Sequence, residues 1–468
     1  MNQGYADIVL GLQYGDEGKA RVVDMLCPKY DIIARFNGGA NAGHTIETKD
    51  GGKVALNQVP SGIFYPDKIL YIGSGCVVNF EKIALEIEKI NNLGINLENR
   101  LKISPQASVI QPHHILIDSL TGKSVGTTRN GIGPCYADRA FRMIGERLTN
   151  IRVGDLLENS EEFFRKMLAN LESAEKQYEL DLANFDKSLI NLKNSFEKVK
   201  KYIENDPLFL QKKVQAGAKV LFEGAQSTML DVCKGSVPYV TSSSTIAAAA
   251  YSGGDLSPNF HRKTIGIVKA IMSRVGHGPF VSEFGGKESE EYCMSQEGEG
   301  PKYGKIVEAG YNLDDYLKSD NEFKMGIGLR ILSGEYGTVT TRPRRVGALD
   351  LVQLNYAIKM NGVTELIINK CDLLKEYSST ANGKIRITKG YELDGQEIDY
   401  LPASTETYSR TKGITEFQES FTEDISGIRN YEETPGALKA LLKYIEEFCN
   451  CKIVGIGVGP ERNQFISL

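Results

Sequence analysis

The segment GLQYGDEGKARVVDML, residues 11–26, decides the fold class of this chain. It continues the apolar run at residues 6–12, which has the length of a buried strand, and passes through a glycine-rich turn. Apolar residues then recur at helical spacing over residues 19–27, and residues 31–36 form a second strand-like run. Strand, turn, helix and strand in this order predict an α/β protein.

Similar apolar runs at residues 220–222, 365–368 and 453–456 end in polar or glycine-rich loops, as buried parallel strands do. Ligands of open α/β sheets bind at such carboxyl ends. From about residue 159 to 205 the chain is rich in Glu, Lys, Leu and Phe at helical spacing, which predicts amphipathic helices inserted beside the sheet. We therefore predict one large domain over residues 1–468, with a mostly parallel central sheet flanked by helices.

Composition narrows the function classes. The chain has 468 residues, a net charge of -5 and a pI of about 5.8, which disfavours nucleic-acid binding. The start MNQGYADIVLG is unlike a signal peptide, and no apolar run has the length of a membrane span. The eight cysteines and five histidines show no zinc-ligand spacing. We expect a cytoplasmic protein with reduced thiols and no membrane or nucleic-acid partner.

The glycine turn has the features of a phosphate-binding loop. A strand, a glycine-rich turn and a helix beginning at Lys19 direct backbone N–H groups and a positive helix end at one point. The chain departs from the GxxxxGK[ST] pattern at Gln13 and Ala20, so it lacks the hydroxyl that usually binds magnesium. Asp16 is the candidate to replace it, because Mg²⁺ can lie between a carboxylate and phosphates. A tight glycine turn with a solvated acid remains the alternative for this loop alone.

Two further loops carry candidate ligand groups. RFNGGANAGHT, residues 35–45, follows the second strand, and its glycines allow a ligand to approach the backbone. Gly43 can offer a carbonyl to a metal, and His44 is a catalytic candidate, although a loop histidine is more often structural. INKCD, residues 368–372, follows an apolar strand and contains the NKxD pattern that recognises guanine. There the Asp372 carboxylate would accept hydrogen bonds from guanine N1–H and the 2-amino group, with the Lys370 stem along the base.

These loops predict a P-loop-like GTP-binding fold with helical insertions. A switch-type GTPase would carry a DxxG turn between the phosphate loop and NKxD. The only DxxG sequence in the chain is at residues 424–427, after NKCD, so the order is wrong for that class.

The motifs, taken in order, resemble the adenylosuccinate synthetase family over nearly the whole chain. QYGDEGKAR resembles the family's QWGDEGKGK, and INKCDLL its TKLDVL. The other matching segments are FNGGANAGHT, VGTTRNGIGPCYADRAFR, FEGAQSTMLD, VPYVTSSST, RVGHGPFVSE, TVTTRPRRVGALD and GVGPER.

The resemblance implies a magnesium-dependent ligase of purine biosynthesis. GTP would phosphorylate the 6-oxygen of IMP, and the amino group of L-aspartate would displace that phosphate to give adenylosuccinate, GDP and phosphate. It implies that Asp16 takes the N1 proton and contacts Mg²⁺ together with Gly43, and that His44 donates to the 6-oxygen. Lys19 and Gln226 complete the implied catalytic set.

The resemblance also implies binding residues, carried over position by position. Those for IMP and aspartate are Asn41, Thr128, Arg142, Gln226, Thr241, Val275, Thr338, Thr340 and Arg342. Those for GTP are Gly15, Glu17, Gly18, Lys19, Ala20, Arg344, Lys370, Asp372, Gly457 and Gly459. A homodimer is implied, in which Arg142 reaches the IMP phosphate of the neighbouring subunit.

Departures from the family pattern cluster near the substrates and keep two alternatives open. They include Arg129 and Asn130 for a Gly-Arg pair, Ser244 for Asn, and Val339 and Thr341 for Thr and Gly. One alternative is a paralogue that uses another purine nucleotide or amine donor with the same chemistry. The other is a guanine-nucleotide-binding regulator without turnover, against which the intact Asp16, Lys19, His44, Gln226 and Arg342 argue.

Overall fold

A computed structural model describes residues 3–41, 43–47, 53–122, 126–180, 185–294, 304–337 and 341–468. Within these ranges the side chains of residues 44–47, 53, 185 and 186 are not described. The strands of the described part are β1 (Tyr5–Gly11), β2 (Ile32–Arg35), β3 (His44–Glu47), β4 (Lys53–Leu56), β5 (Ile69–Ile72), β6 (Val77–Val78), β7 (Leu101–Ile103), β8 (Ser108–Val109), β9 (Met143–Ile144), β10 (Arg147–Leu148), β11 (Lys219–Ser227), β12 (His261–Lys269), β13 (Met272–Arg274), β14 (Arg345–Gly347), β15 (Leu349–Asp350), β16 (Glu365–Asn369), β17 (Lys384–Leu393), β18 (Gln396–Ile398), β19 (Lys412–Glu419), β20 (Lys452–Gly457) and β21 (Phe465–Ser467).

The α-helices alternate with these strands along much of the chain. In chain order they are α1 (Lys19–Leu26), α2 (Phe80–Asn92), α3 (Pro112–Thr121), α4 (Ile132–Phe141), α5 (Val153–Tyr178), α6 (Phe185–Val199), α7 (Phe209–Gln215), α8 (Ala249–Gly253), α9 (Gly286–Met294), α10 (Lys305–Glu308), α11 (Leu313–Leu317), α12 (Glu322–Ser333), α13 (Leu351–Asn361), α14 (Thr405–Arg410) and α15 (Gly436–Cys449).

A nine-stranded sheet forms the centre of the fold, in the order β21-β20-β16-β12-β1-β11-β2-β5-β7. All neighbouring pairs are parallel except β20 and β21. The predicted mostly parallel sheet is therefore confirmed. The apolar runs identified in the sequence correspond to β1, β2, β11, β16 and β20, although the first two runs extend by one residue beyond the ends of β1 and β2. Because parallel strands end at the same edge, the loops after β1, β2, β11, β16 and β20 meet there.

The central strands are apolar on both faces because both faces are covered. Along β1, Ala6, Ile8 and Leu10 pack in one apolar cluster, whereas Val9 packs in the other, on the opposite face. This two-sided burial explains why the strands appear in the sequence as continuous apolar runs rather than as alternating patterns. It also holds β1, the strand that carries the phosphate loop, rigidly between β11 and β12.

Helices α5 and α6 occupy the Glu- and Lys-rich region. Helix α5 begins at Val153, earlier than the pattern indicated, and its backbone breaks at Asn159, with φ -152°. The Asn159 side chain accepts a hydrogen bond from Glu162 N at 3.2 Å, so it caps the second part of the helix. Helix α6 packs on α2 through Phe196 and Phe80, whose rings lie 5.5 Å apart.

The remaining structure completes the frame of the site. A smaller sheet has β17 at its centre, paired with β15, β18 and β19.

No helix in the described ranges combines the length and the apolar character that a bilayer crossing needs.

Close backbone approach fixes α8 against the loops after β2 and β5. A Cβ atom added at Gly253 would lie 2.2 Å from the carbonyl oxygen of Phe36, and Gly253 O accepts from Gly75 N at 2.8 Å. We expect Gly253→Ala to lower the free energy of unfolding by about 1–3 kcal/mol, because the methyl group forces two backbones apart. Urea unfolding followed by circular dichroism measures this. Gly427→Ala is the matched control, since a Cβ there meets no atom within 4 Å, and equal losses in both variants would contradict the packing argument.

Candidate active site

The phosphate loop between β1 and α1 is held in a left-handed conformation at three positions. Gly15, Asp16 and Gly18 have φ of 99°, 57° and 86°. Glycine adopts these angles without steric cost, whereas Asp16 does so under strain of about 1–3 kcal/mol. The result is a tight turn at the carboxyl edge of the central strand, with Asp16 at its tip.

Glu17 lies inside this loop and occupies its amide groups. Its Oε1 atom accepts hydrogen bonds from Gln13 N at 3.2 Å and Gly15 N at 2.9 Å. The Ser227 hydroxyl donates to the same oxygen at 2.5 Å, and Lys19 Nζ lies 2.7 Å from Oε2. In a strict P-loop such amides and the lysine would surround a phosphate. Here a carboxylate of the chain itself takes that position, and both Glu17 and Lys19 are buried.

Asp16 points out of the loop and meets an arginine from the far side of the site. Its Oδ2 atom lies 2.7 Å from Arg344 Nη2, and the Asp16 side chain is still 47% exposed. Arg344 follows the segment predicted to bind aspartate, so this ion pair joins that segment to the phosphate loop. The half-exposed carboxylate keeps access to a ligand in the adjoining cavity.

The guanine motif and the phosphate loop line one cavity. Its volume is about 450 Å³, and the lining residues include Asp16, Glu17, Gly18, Lys370, Asp372 and Gly459. Asp372 lies at the start of a 3-10 helix, Cys371–Ser379, directly after β16. Its Oδ1 atom is buried without a hydrogen-bond partner among the described residues. A buried acceptor without a partner carries a cost that a ligand donor would remove, and burial raises the pKa of this carboxyl.

The end of β20, the neighbour of β16 in the sheet, and the residues after it form another part of the cavity wall. Gly457 and Gly459 are buried, and Arg21 on α1 donates to the carbonyl oxygen of Gly459. Asn369, the last residue of β16, donates to Glu17 O at 2.6 Å. A Cβ at Gly457 would lie 2.4 Å from the Asn369 side chain, which explains the glycine at this position. These contacts tie the ends of three strands around the cavity.

A second group of predicted residues gathers beside the loops after β2 and β11. Gly38 lies between Gln226 and Asn41, since a Cβ there would be 3.2 Å from Gln226 Oε1 and 3.5 Å from Asn41 Oδ1. Gln226 has φ 56°, and its buried Oε1 has no hydrogen-bond partner among the described residues. The structure therefore brings two of the predicted IMP-binding residues together and leaves one amide oxygen available to a ligand.

Two departures from the family pattern make polar contacts. Asn130 donates to the Thr128 hydroxyl at 3.0 Å, so it orients a residue predicted to bind IMP. Ser244 donates to Asp231 at 2.9 Å. Thr241, also predicted to bind IMP, is partly buried on the same segment.

Two other departures fall where the backbone is left-handed. Arg129 and Thr341, which stand at glycine positions of the family pattern, have φ of 55° and 52°. The chain thus keeps the backbone conformation that glycine would favour, at the cost of local strain.

Arg142 lies on an exposed surface rather than in the cavity. It ends α4 with φ 64°, and the exposed apolar residues Phe141, Met143 and Ile144 flank it. Val275 and Arg342 are also exposed, each on its own loop. These positions do not form a closed pocket within one subunit.

Several predicted residues lie wholly or partly outside the described structure. Thr338 and Thr340 are outside it, as is the departure Val339, and of His44 only the backbone in β3 is described. Gly43 is described and exposed, and Ala20 is buried in the first turn of α1.

A buried histidine pair anchors α3 to α4 near Arg142. Asp138 Oδ2 lies 3.1 Å from His113 Nε2 and 3.0 Å from His114 Nε2, and the three ligand atoms are close enough to surround a metal ion. The backbone N–H of Gln111, however, donates to His114 Nδ1 at 3.0 Å, so Nε2 of His114 carries the proton and donates to Asp138. Burial and the neighbouring His113 lower the pKa of His114 to about 4. We interpret the cluster as structural.

Sequence reasoning missed a buried carboxylate behind the cavity. Glu335 accepts from Lys370 Nζ at 2.6 Å, Arg344 Nη1 at 2.8 Å and Lys269 Nζ at 3.1 Å. It stands in GEYG, which matches no motif by itself. Only its proximity to Lys370 and Arg344, both predicted to bind GTP, distinguishes it from other buried acids.

Together, the parallel sheet, the loop at the end of its central strand and the cavity beside an NKxD motif define a P-loop-like nucleotide-binding enzyme. A family model described as adenylosuccinate synthetase matches residues 8–466. The chain belongs to the adenylosuccinate synthetase family and is a GDP-forming carbon–nitrogen ligase.

Individual relatives agree with this assignment. "Adenylosuccinate synthetase 2" of Cupriavidus pinatubonensis is 43% identical over 464 residues, or 98% of this chain and 97% of that protein. The structure of fully ligated adenylosuccinate synthetase from Plasmodium falciparum is 31% identical with a TM-score of 0.84, over 99% of this chain and 100% of that one. Succinoaminodeoxyadenylate synthetase of cyanophage S-2L, solved with dGMP and dATP, shares the fold at 18% identity and a TM-score of 0.60, over 100% of this chain and 96% of that one.

The left-handed conformation of Thr341 has a measurable cost. A β-branched residue is strained there, so Thr341→Gly should raise the free energy of unfolding by about 1 kcal/mol, net of the added entropy of the unfolded chain. Thermal unfolding measures the change. Thr407→Gly, within α14, is the control and should destabilise, because glycine is unfavourable in a helix. A loss of stability in both variants would mean that Thr341 is not strained.

Proposed function

We propose that this ligase joins IMP and L-aspartate to give adenylosuccinate, with GTP hydrolysed to GDP and phosphate. One observation carries the proposal: Asp16 and the guanine-reading Asp372 line the same cavity. A guanine base held at Asp372 would direct its phosphates along the loop toward Asp16, where the acceptor oxygen must lie.

The acceptor oxygen of IMP must become nucleophilic before it is phosphorylated. Asp16 would take the proton from N1 of hypoxanthine, which moves negative charge onto the 6-oxygen. The ion pair with Arg344, 2.7 Å away, supports this role because it holds the carboxylate in place at the edge of the cavity. His44 would donate a hydrogen bond to the 6-oxygen and stabilise the charge that develops there.

The phosphate groups require positive charge and backbone donors. Lys19, Arg344 and the amides of Gly15, Gly18 and Ala20 would contact the phosphates of GTP. Lys19 is bound to Glu17 in this arrangement, at 2.7 Å. We propose that Glu17 holds the lysine and the loop amides in place until phosphates share them.

Magnesium fits the donor set of this loop. The half-exposed Asp16 carboxylate and the exposed backbone of Gly43 offer the oxygen ligands that Mg²⁺ prefers, so these two residues would hold it. The ion would neutralise charge on the transferring phosphoryl group.

The second half-reaction would use the segment around residues 338–342. Arg342, Thr338 and Thr340 would bind the carboxylate of the substrate aspartate. This would place the amino group of aspartate against C6 of the phosphorylated purine. Asn41, Thr128, Gln226, Thr241 and Val275 would hold IMP. Arg129 and Thr341 keep a left-handed backbone, which is the conformation that glycines at these positions of the family pattern would favour. This supports IMP and L-aspartate, rather than other substrates, as the molecules that these loops bind.

A direct assay tests the substrates and the proposed base together. The protein is supplied with GTP, Mg²⁺, IMP and aspartate, and adenylosuccinate formation is followed by absorbance. Asp16→Asn should lower kcat by about 10²- to 10⁴-fold, because the amide cannot accept the N1 proton. Asparagine tolerates the left-handed φ, so the loop backbone should persist.

Asp394→Asn is the matched control, since Asp394 is also an exposed aspartate with positive φ, 51°, and lies in another turn. Its variant should keep normal turnover. Product from the native protein with dGMP or another amine, but not with IMP and aspartate, would favour the paralogue. Tight GTP binding with no product would favour the regulator, and near-normal turnover of Asp16→Asn would remove Asp16 as the base.

We further propose a cytoplasmic homodimer in which Arg142 binds the IMP phosphate of the neighbouring subunit. The exposed apolar residues Phe141, Met143 and Ile144 around Arg142 support an interface at this surface. An arginine within an apolar contact suits a phosphate shielded from water.

The interface is tested by placing a charge in it. Met143 is 53% exposed, and Met143→Glu should weaken dimer formation by about tenfold, because a buried charge without a partner is costly. Sedimentation velocity with IMP and GTP present measures the dimer. Leu93→Glu changes a residue of similar exposure, 51%, outside this surface and should leave the dimer intact. A dimer unaffected by Met143→Glu would place the interface elsewhere.

A further inference from the structure

Glu335 links the two ends of the GTP cavity through a continuous series of charged contacts. Lys370 lies 2.6 Å from its Oε1 atom, and Arg344 lies 2.8 Å from its Oε2 atom. Arg344 in turn lies 2.7 Å from Asp16. The series Lys370, Glu335, Arg344 and Asp16 therefore runs from the guanine motif to the proposed base without a gap.

The backbone around Glu335 holds it firmly. Gly334 ends α12 in the left-handed conformation, with φ 64°, and turns the chain toward the cavity. The Glu335 carbonyl oxygen accepts from Arg344 N at 2.9 Å, and Lys370 Nζ also donates to Ser333 O at 3.0 Å. The backbone that carries the Glu335 carboxylate is thus fixed at the end of a helix.

The charges around Glu335 exceed what a structural ion pair requires. Lys269 is fully buried and neutralises the carboxylate at 3.1 Å, with the Ser273 hydroxyl at 2.8 Å. Lys370 and Arg344 are additional and lie nearer the cavity, with side chains 29% and 12% exposed. Burial by itself would raise the pKa of Glu335, but these three cations hold it well below its ordinary value.

We propose that Glu335 is a positioning residue that fixes Lys370 and Arg344 in their nucleotide-binding orientations and so couples guanine recognition to Asp16. This rests on the proposed function. Glu335 is fully buried and is not among the residues that line the cavity, so it would act through Lys370 along the base and through Arg344 near the phosphates. A nucleotide that binds Lys370 would affect Arg344 and Asp16, because hydrogen bonds join Lys370, Glu335 and Arg344, and an ion pair joins Arg344 to Asp16.

Two simpler roles predict different results. If Glu335 only contributed negative charge near the cavity, its removal would tighten the binding of an anionic nucleotide. If it only stabilised the fold as the partner of Lys269, removal of both partners would restore stability and binding together, since a buried pair can be replaced at little cost. A positioning role predicts weaker binding that persists after stability is restored.

The experiment measures binding of a non-hydrolysable GTP analogue by titration calorimetry, with thermal unfolding in parallel. Glu335→Gln should weaken binding by about tenfold, because the amide is uncharged and its NH2 group replaces one of the two oxygens that accept from Lys370 and Arg344. The double variant Glu335→Gln, Lys269→Met should regain most of the stability and keep the weakened affinity. Glu335→Asp retains the charge and should recover part of the affinity.

Asp7→Asn is the matched control. Asp7 lies in β1, before the phosphate loop, and is a fully buried carboxylate that pairs with Arg262 of β12. It should lose stability and bind the analogue normally. Coupling is measured with Arg344→Met, made both in the native protein and in the Glu335→Gln variant. The loss of affinity caused by Arg344→Met should be smaller by about fivefold or more in the Glu335→Gln variant.

Unchanged or tighter binding in Glu335→Gln, or affinity restored by Lys269→Met, would overturn the proposal. If Glu335→Gln alone does not fold, the double variant and Glu335→Asp decide the question by the same criteria. Failure of the proposed function would be seen in a different experiment, the assay for product formation by the native protein. The role of Glu335 is tested here by nucleotide binding alone, so the two failures can be told apart.

Discussion

The Glu17 carboxylate inside the loop after β1 is the interaction on which the site depends. Amides that converge on one point repel each other unless an anion lies among them, and Glu17 supplies that anion from within the chain. With Lys19 and the Ser227 hydroxyl bound to the same carboxylate, the loop is closed before a nucleotide arrives. Within this loop the Glu17 carboxylate serves structure, whereas the neighbouring Asp16 remains half exposed at the cavity, where we propose that it acts as the base.

The electrostatics of the cavity follow from this division. Arg344 and Lys370 both bind Glu335, and Arg344 also binds Asp16, so Arg344 is held between two carboxylates and Lys370 against one. Glu335 is buried, which strengthens its two pairs and fixes their geometry, whereas the pair with Asp16 is partly open to solvent. Groups paired in this way need little reorganisation when phosphate charge enters, which is the condition under which fixed dipoles and charges accelerate phosphoryl transfer.

Residues that depart from the family pattern show how the same loops tolerate different side chains. Arg129 and Thr341 keep the left-handed backbone that glycine would favour, and Ser244 makes a hydrogen bond to Asp231. At Arg129 and Thr341 the backbone has a conformation that glycine favours although the residue carries a side chain. This is expected when the backbone path is fixed by a rigid sheet edge, because loop residues then change more freely than the strands that carry them.

The sequence by itself determined the α/β class, five of the nine strands of the central sheet, the loop at residues 11–18 and the guanine motif, because each depends on local periodicity or on neighbouring residues. It could not show that Glu17 closes the loop instead of facing solvent, because that depends on Ser227, more than two hundred residues away. Nor could it single out Glu335, whose partners Lys269, Arg344 and Lys370 come from separate segments. Charge pairing across a sheet edge is decided by distance in space, and only the tertiary structure sets that distance.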